Sequence, residues 1–424
     1  MTAPGVRWVR RPAGGAGARV IHVNTSARGG GVAEILENVT RHDRSRGRRS
    51  GWVVVDAPDE FFTVTKGLHH LVHGRGDPGL LADGAAVYRE VLAQVPALLE
   101  PEIRPDDIVV LHDPQTLGLA TWAARCARRV YWHCHIGSLR DPAGVKRALW
   151  EFFADDLAAV DAVLVTEPRY LAGAPVARVR VVHPAIDPEA PKNSTMTGAE
   201  VTRHLRTLGT GDATSTVGPA GRVWQDGPVP DQAPVVLQIS RWDPLKGMGD
   251  VLRVAAHLDP RTHVVLAGPD PAEVLDDPEG VDQLKETLQQ LRALPQPVRR
   301  RVHLVALSAH DRELNALRVN ALQRRADVVV QRSLEEGFGL TVTEAMFKGK
   351  PVVATRTGGI PRQIDDRVSG RLVDPGDDDA FVEAVNELVG DAQLRAALGA
   401  AAETSVRGSY LIDRLAGDYD VLRS

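Results

Sequence analysis

Cysteine is nearly absent from this chain, which has 424 residues and contains only Cys126 and Cys134. Two isolated cysteines in so long a chain do not make the disulfide framework of a small secreted domain. No apolar run approaches the roughly 20 residues that span a bilayer. Residues 7–17 also lack the apolar segment of a signal peptide. These absences predict a cytoplasmic protein with no membrane partner.

An excess of either charge is also missing, because 51 Lys and Arg residues face 55 Asp and Glu residues. Nucleic acids attract strongly basic proteins, so none is predicted as a partner. The basic run at 41–49 is a local exception. It ends a predicted helix and carries no interleaved aromatic residues, which favours a solvated helix terminus over a nucleic-acid-binding arm.

The chain does contain short Val- and Ile-rich segments that alternate with longer amphipathic ones, a pattern typical of parallel sheets flanked by helices. Its length is too great for one hydrophobic core. We therefore predict an α/β protein with two doubly wound, Rossmann-like domains. The predicted strands are 19–24, 52–56, 108–112, 130–135, 162–166 and 179–183 in the first half, and 235–240, 263–268, 302–307, 327–331, 351–355 and 370–373 in the second.

The domain boundaries follow from composition. Residues 1–193 and 233–405 are predicted as the two Rossmann-like domains. Residues 194–232 are rich in Thr, Gly, Pro and Asp with weak periodicity, which predicts a linker with a surface insertion. Residues 406–424 are predicted to end in a helix that returns to the first domain.

The most informative stretch is 331–346, QRSLEEGFGLTVTEAM. It follows a predicted buried parallel strand and contains Gly337 and Gly339, which let the backbone approach a ligand. The helix predicted at 340–347 would offer its free N-terminal amides to a diphosphate.

Two carboxylates of this stretch, Glu336 and Glu344, lie eight residues apart. Glu336 is predicted in the turn and Glu344 about two turns into the helix. Incidental acids on a solvated helix are the alternative. The glycines between the two carboxylates favour a sugar-nucleotide pocket.

Arg241 and Lys246 follow the first predicted strand of the second domain, in the loop 240–248. In open parallel sheets ligands gather at this end of the strands. Arg241 can grip phosphate oxygens with its planar fork and Lys246 adds a point charge, so together they could neutralise a diphosphate. The alternative is a surface ion pair between Arg241 and Asp243, which would contribute little.

A glycine cluster follows the first strand of the first domain, in the loop 24–31, and precedes a predicted helix. Glycines at a helix N-terminus can cradle an anion. A flexible turn without a ligand is the alternative. The position between strand and helix favours the anion cradle.

His133 and His135 alternate at the end of a predicted strand, so they share one face of it. A zinc site needs three or four ligands, and no third partner is evident in the sequence, so no metal site is predicted. His135 could instead bind a sugar hydroxyl. The segment His112-Asp113-Pro114-Gln115 ends the preceding strand and is predicted to line the same site.

These residues resemble the retaining glycosyltransferases of family 4, which have the GT-B fold, and most closely their branch of trehalose glycosyltransferring synthases. The segments that carry the resemblance are 29–36 (GGGVAEIL), 61–66 (FFTVTK), 112–115 (HDPQ), 184–193 (PAIDPEAPKN), 276–280 (DDPEG), 319–324 (VNALQR) and 331–346. The resemblance implies two Rossmann-like domains that face a central cleft, the first for the acceptor and the second for the donor.

The resemblance also implies the reaction: a glycosyl group moves from a nucleotide diphosphate sugar to a small sugar or polyol, with retention at the anomeric carbon and with no metal or other cofactor. Arg241 and Lys246 would hold the diphosphate, Glu336 the donor sugar and Glu344 the ribose. His135 would contact the sugar beside the reacting carbon. Donor binding would be assisted by Gly30, Gly31, Gly339, Leu340 and Thr341.

Departures from this branch concentrate in the first domain. Gly137 stands where the branch has Asp, and His70 and His73 stand where it has Asn and Gln. Because a carboxylate and amides are natural partners of sugar hydroxyls, these changes predict an amino sugar, an aminocyclitol or another polyol as the alternative acceptor to glucose. The candidates for acceptor contacts are Lys66, His69, His70, His112, Asp113, Gln115 and Gly137.

Two further functions stay open, a GT-B epimerase or phosphorylase and a catalytically silent sugar-nucleotide-binding protein. The second would require the loss of donor-site residues, and all of them are present. The nucleotide base is not predicted. Because the branch often forms dimers, a homodimer is a further expectation.

Overall fold

The computed structural model describes residues 3–14, 17–27, 30–142, 144–207, 217–218, 221–273 and 278–423. The chain forms two compact units, Met1–Ala185 together with Ile412–Ser424, and Ile186–Leu411. The first unit therefore ends at Ala185, whereas the sequence placed a boundary after residue 193. Parts of three expectations lie outside the described residues: Gly29 of the glycine loop, Asp276 and Asp277 of the DDPEG segment, and 208–216 with 219–220 of the predicted insertion.

The described residues of the first unit form a seven-stranded sheet. Its strands are β1 (Gly5–Arg10), β2 (Val20–Asn24), β3 (Ser50–Asp56), β4 (Ile108–His112), β5 (Arg129–Cys134), β6 (Ala162–Val165) and β7 (Val179–Val181). They lie in the order β1, β3, β2, β4, β5, β6, β7, with β1 antiparallel to β3 and every other pair parallel. The order reverses between β2 and β4, where parallel sheets bind ligands.

Helices cover this sheet: α1 (Gly31–Ser45), α2 (Asp59–Val72), α3 (Leu80–Leu99), α4 (Asp113–Leu117), α5 (Ala120–Cys126), α6 (Val145–Phe152) and α7 (Ala154–Ala159). Every residue of β2 and β4 is buried, as expected for the central strands of a parallel sheet. Large side chains such as Phe61, Tyr88, Trp132 and Trp150 fill the core beside them.

The second unit contains an eight-stranded sheet in its described part. Its strands are β8 (Val217–Gly218), β9 (Gly221–Trp224), β10 (Val235–Ile239), β11 (His263–Pro269), β12 (Val302–Leu307), β13 (Val328–Gln331), β14 (Val352–Thr355) and β15 (Arg371–Val373). Their order is β15, β14, β13, β10, β11, β12, β9, β8, and only the pairs β12–β9 and β9–β8 are antiparallel. The reversal here falls between β10 and β13.

The helices of the second unit are α8 (Gly198–Thr207), α9 (Met248–Val254), α10 (Pro278–Ala293), α11 (Gln296–Arg299), α12 (Arg312–Arg325), α13 (Leu340–Phe347), α14 (Asp378–Gly390) and α15 (Ala392–Ser409). The last helix, α16 (Ile412–Asp420), belongs to the first unit and packs against α1. Among the helices of the described residues, none has the length and apolar character that a membrane crossing requires.

The predicted α/β class with two doubly wound domains is confirmed, and the predicted parallel strands match the observed ones within one or two residues. The segment 194–232, predicted as a linker with a surface insertion, has secondary structure of its own. It contains α8, which packs against α12, and β9, which pairs with β12. The glycine, proline and threonine of this segment gave no clear periodicity from which α8 and β9 could be predicted. Packing and pairing with other elements stabilise both.

Strand β1 was also missed. Its sequence, GVRWVR, mixes apolar and basic residues, and most of its residues are only partly buried. This pattern is typical of an edge strand and differs from the Val- and Ile-rich runs by which the buried strands were found.

Candidate functional site

Two loops that the sequence singled out follow β10 and β13, which are neighbours at the reversal point of the second sheet. Lys246 Nζ donates to Glu336 Oε2 at 2.7 Å, and the two side chains are only 16% and 12% exposed. The loop backbones are joined as well, since Leu334 N donates to Leu245 O at 2.8 Å. The fold thus brings together a cation and a carboxylate that lie 90 residues apart in the sequence.

The turn that carries Lys246 is closely defined. Asp243 Oδ1 accepts a hydrogen bond from Leu245 N at 2.8 Å, and Gln238 Nε2 donates to the carbonyl oxygen of Lys246 at 2.6 Å. Gly247 follows with a φ of 65°, and a Cβ there would lie 2.1 Å from the carbonyl oxygen of Arg332. Only glycine fits this left-handed, crowded position.

Arg241 lies on the same loop but is more exposed. Its Nη2 lies 3.2 Å from Asp243 Oδ2, and the Arg241 side chain is 54% exposed. The surface ion pair considered as the alternative is therefore present. Such a pair contributes little free energy, so the guanidinium can leave Asp243 for a phosphate with little loss.

The N-terminus of α13 lies beside Glu336. Gly339 is its N-cap with a φ of 91°, and no described side chain caps this end. A Cβ at Gly339 would lie 3.2 Å from Glu336 Cγ. The first amides of α13, including that of Leu340, thus remain available for an anion at the positive end of the helix dipole.

A chain of hydrogen bonds links α13 back to Glu336. Thr341 Oγ1 donates to Gln331 Oε1 at 3.1 Å, and Gln331 Nε2 donates to Ser333 Oγ at 2.8 Å. Ser333 Oγ in turn donates to Glu336 Oε2 at 3.3 Å. Sequence reasoning gave Gln331 and Ser333 no role, although both lie in the stretch that carries the two glutamates.

Glu344 is the fifth residue of α13, so it lies about one turn into the helix and not two as the sequence analysis expected. Its side chain is 1% exposed, and its Oε1 lies 3.3 Å from Lys192 Nζ. Gln323 Nε2 donates to Glu344 Oε2 at 3.4 Å. Lys192 and Gln323 are thus two partners that sequence reasoning missed. Lys192 lies inside the segment 184–193 that carried part of the resemblance.

In the first unit, the glycine loop leads into α1 as predicted. Gly30 is the N-cap with a φ of 86°, and Gly31 is the first helical residue. A Cβ at Gly30 would meet nothing within 4 Å, so its backbone conformation and not crowding favours glycine. No described side chain caps α1, which leaves its first amides open to an anion.

Four histidines form a row across the adjacent strands β2, β4 and β5. His22 Nδ1 lies 3.0 Å from His112 Nε2, and His112 Nδ1 lies 2.8 Å from His135 Nε2. His133 stacks on His135 with 3.9 Å between the ring centroids, and its Nδ1 lies 2.7 Å from the Tyr419 hydroxyl of α16. The statement that His133 and His135 have no third partner was wrong, because ligand nitrogens of His112, His133 and His135 all lie within 4.8 Å of one another.

Burial keeps this row uncharged. It lowers the pKa of His22 and of His135 from 6.5 to about 3. Burial also lowers the pKa of His112 and of His133 well below 6.5, with a smaller contribution from His135 in each case. At neutral pH the four imidazoles are therefore neutral and can donate or accept hydrogen bonds.

Asp113 supports this row from the start of α4. Its Oδ1 accepts a hydrogen bond from the backbone N of His135 at 2.8 Å, and its φ of 59° is unusual for a residue with a side chain. Burial raises the pKa of Asp113 to about 7. Gln115, two residues later, has a buried Oε1 with no hydrogen-bond partner among the described residues. His112, Asp113 and His135 are thus in contact with one another, as expected for one site.

The remaining acceptor-side candidates are more scattered. Lys66, His69 and His70 lie on α2, which packs against α4 and α6. His73 follows α2, and its ring lies 4.5 Å from the ring of His69.

Gly137 is enclosed by an aromatic ring. A Cβ there would lie 2.4 Å from Cγ of Tyr170, which is 1% exposed. The ring of Tyr170 therefore fills the space that any side chain at position 137 would need.

Comparison with known proteins identifies relatives of both halves of the chain. The family described as trehalose synthase, N-terminal domain, matches residues 22–172, and the family of glycosyl transferases group 1 matches residues 224–405. A trehalose synthase of Rubrobacter xylanophilus is 33% identical over 408 residues, which cover 95% of this chain and 89% of that protein.

Two solved structures share the fold. An α,α-trehalose-phosphate synthase (UDP-forming) of Burkholderia xenovorans, in complex with glucose-6-phosphate, has a TM-score of 0.71 at 15% identity and covers 96% of this chain and 100% of that one. HepE of Anabaena, in complex with UDP-glucose, has a TM-score of 0.67 at 18% identity and covers 95% of this chain and 99% of that one. At these identities the likeness concerns the fold alone, and the predicted GT-B fold is confirmed.

Proposed function

The chain belongs to the trehalose synthase family of glycosyltransferases, and we propose that it moves a glucosyl-type sugar from a nucleotide diphosphate sugar to a small sugar or polyol with retention at the anomeric carbon. The product is trehalose or a trehalose-like α,α-1,1-linked sugar. The solved relatives whose complexes contain UDP-glucose and glucose-6-phosphate support this choice of donor and acceptor class.

One observation carries the proposal: the ion pair of Lys246 and Glu336 lies beside the uncapped N-terminus of α13. A departing diphosphate needs fixed positive charge, and a sugar needs hydrogen-bond acceptors. This arrangement supplies both where the loops after β10 and β13 meet the start of α13.

The leaving group is stabilised as follows in this proposal. Lys246 and Arg241 hold the diphosphate, and the amides of Gly339 and Leu340 add the positive end of α13. Preorganised charge of this kind is often the largest single contribution to catalysis. Because these groups neutralise the diphosphate, the step requires no divalent ion.

Sugar recognition falls to carboxylates and imidazoles. Glu336, oriented by Ser333, accepts hydrogen bonds from the donor sugar, and Glu344 accepts them from the ribose while Lys192 balances its charge. His135 binds the sugar beside the reacting carbon. In the first unit Gly30 and Gly31 offer backbone amides at the start of α1.

A second acceptor class is favoured by Gly137. The Tyr170 ring excludes the carboxylate that the resemblance leads one to expect at this position. An acceptor that relies on this carboxylate loses a partner, so an amino sugar, an aminocyclitol or another polyol is the second candidate.

The test is mass spectrometry of the purified protein with UDP-, ADP- and GDP-glucose, each alone, with glucose, and with a panel of amino sugars and cyclitols. We expect a new disaccharide mass that requires one donor and one acceptor. An isomer of the nucleotide sugar with unchanged mass but a new chromatographic retention time, formed without any acceptor, would assign the protein to the epimerases. A sugar phosphate formed with inorganic phosphate would assign it to the phosphorylases, and no product with any pair would remove the proposed function.

A further inference from the structure

The histidine row offers a binding site beyond the single sugar contact that the proposed transfer reaction assigns to His135. His112, His133 and His135 come from neighbouring strand ends, and one ligand nitrogen from each lies within 4.8 Å of the others. His112 and His133 are buried, whereas His135 is partly exposed. The cluster can therefore be reached from the side of His135.

Hydrogen bonds at the rear of the rings turn one nitrogen of His112 and one of His133 toward the inside of the cluster. His133 Nδ1 is engaged by the Tyr419 hydroxyl, and its Nε2 is buried with no hydrogen-bond partner among the described residues. His112 Nε2 is engaged by His22, which leaves His112 Nδ1 facing His135. Outer hydrogen bonds of this kind are what orient metal-binding imidazoles in proteins.

An ion at this cluster replaces the hydrogen bond between His112 Nδ1 and His135 Nε2. Each of the two rings then keeps its one proton on the nitrogen that faces away from the ion, which is Nδ1 of His135 and Nε2 of His112, and His112 Nε2 donates to His22 Nδ1.

We propose that His112 Nδ1, His133 Nε2 and His135 Nε2 form a site for a divalent transition-metal ion such as Zn²⁺. Imidazole nitrogens bind zinc, nickel and copper, whereas magnesium and calcium prefer oxygen. A tetrahedral zinc ion with bonds of about 2.0–2.1 Å holds its nitrogens about 3.3 Å apart. His112 Nδ1 and His135 Nε2 are 2.8 Å apart and must turn from each other to reach that spacing, and His133, whose ring stacks on His135 with 3.9 Å between the centroids, must turn its Nε2 toward them.

The site also has a chemical consequence, which rests on the proposed function. Three protein ligands leave a fourth position for water or a hydroxyl group. When the metal occupies His135 Nε2, this nitrogen is no longer available to the sugar. The ion therefore inhibits glycosyl transfer.

The direct test is titration of the full chain, without an affinity tag, with Co²⁺ and Zn²⁺ in the absence of sugars. We expect one Co²⁺ ion per chain with the visible absorption of a four-coordinate site, displaced by Zn²⁺. Because the readout is spectroscopic and calorimetric, it stands even if no transfer reaction is found.

Matched variants separate ligands from neighbours. His133→Asn keeps a nitrogen near the position of Nδ1 for Tyr419 and removes Nε2, so it should weaken binding at least about tenfold. His22→Asn keeps a group near the position of Nδ1 for His112 Nε2 and removes only Nε2, which is not a ligand, so it should bind the ion within a few-fold of the wild type. His112→Gln keeps a group near Nε2 and removes Nδ1. His112→Gln should also fail to bind the ion. This variant keeps the test decisive if His133→Asn does not fold.

The outcomes are distinct. No Co²⁺ or Zn²⁺ binding by the wild type, or equal binding by wild type, His133→Asn and His112→Gln, overturns the metal site. Equal weakening by His22→Asn also overturns it, since repacking of the row would then explain the loss. In the transfer assay, Zn²⁺ should inhibit the wild type and leave His133→Asn uninhibited.

Discussion

Lys246 Nζ and Glu336 Oε2 form a 2.7 Å ion pair between two loops at neighbouring strand ends of the second sheet. Both residues lie in loops where a parallel doubly wound sheet binds its ligands. The pair places a cation for a diphosphate next to an acceptor for sugar hydroxyls. The proposed transfer reaction depends on this relationship.

Removing either diphosphate cation should slow transfer without unfolding the protein. We expect Lys246→Ala and Arg241→Ala each to lower kcat by about 10²–10³-fold, the range seen when one preorganised donor is lost. Initial rates with the active donor and acceptor measure this. The matched control is Arg261→Ala, because Arg261 is exposed and pairs with Asp259 two residues away, much as Arg241 pairs with Asp243. Normal rates in the Lys246 or Arg241 variant would remove that residue from the site.

Gly247→Ala should destabilise the second unit. The added Cβ would lie 2.1 Å from the carbonyl oxygen of Arg332 at a φ of 65°, so two loops would have to move apart. We expect unfolding at a lower urea concentration and a loss of transfer, because Lys246 precedes this glycine. Gly408→Ala is the control. Gly408 lies in helix α15 with open space around its Cβ position, so alanine there should be neutral or stabilising by up to about 1 kcal/mol. An unchanged urea midpoint for Gly247→Ala would contradict the crowding described here.

Gly137→Asp should destabilise the first unit because its side chain collides with the Tyr170 ring. Overpacking of this kind costs about 1–3 kcal/mol. Adding Tyr170→Ala opens the space, so the destabilisation caused by Asp at position 137 should be smaller in the Tyr170→Ala background than in the wild type. Thermal unfolding of the four combinations measures this coupling, with Gly14→Asp as an exposed control that has open space. Additive effects of the two changes would show that the ring does not exclude a carboxylate.

The histidine row should make the protein sensitive to mild acid. The pKa of His22 and of His135 is about 3 in the folded state against a usual 6.5. Between these two pH values the unfolded chain therefore binds protons that the folded chain does not bind. The stabilisation that comes from keeping these histidines neutral is therefore fully present above pH 6.5. The free energy of unfolding falls as the pH drops from 6.5 toward 3, by about 1.4 kcal/mol per pH unit for each of these two histidines. Asp113 acts in the opposite sense. Its pKa is raised from 3.8 to about 7, so the stabilisation that its protonated form gives the folded state is lost as the pH rises from 3.8 to 7.

Four lowered histidines outweigh one raised aspartate, so acidification should destabilise the fold. Urea unfolding at pH 7.5 and pH 5.5 measures the difference in free energy of unfolding. His22→Asn should reduce that difference by the share of one histidine. Equal pH dependence in wild type and His22→Asn would contradict a buried neutral His22.

Local patterns made most of the second unit predictable. Val- and Ile-rich runs marked β10 and β13, and glycines marked the turn before α13, so the two loops that bring Lys246, Glu336 and Gly339 together were predictable from the sequence. Lys192 and Gln323 were not, because they reach Glu344 only through tertiary packing.

The histidine row shows the limit of sequence reasoning in the first unit. His133 and His135 were visible as neighbours on one strand. His22 lies 90 residues before its partner His112, and Tyr419 lies 286 residues after His133. Parallel strand pairing and the return of α16 join these residues, and neither contact leaves a local pattern in the sequence.

The proton NMR spectrum of the product formed from an α-linked nucleotide glucose tests the central claim most directly. We predict a product whose transferred sugar has the α configuration at its anomeric carbon, formed together with a free nucleoside diphosphate and only in the presence of an acceptor. A β-linked product would contradict retention, and release of free glucose or of an epimerised nucleotide sugar without an acceptor would contradict glycosyl transfer.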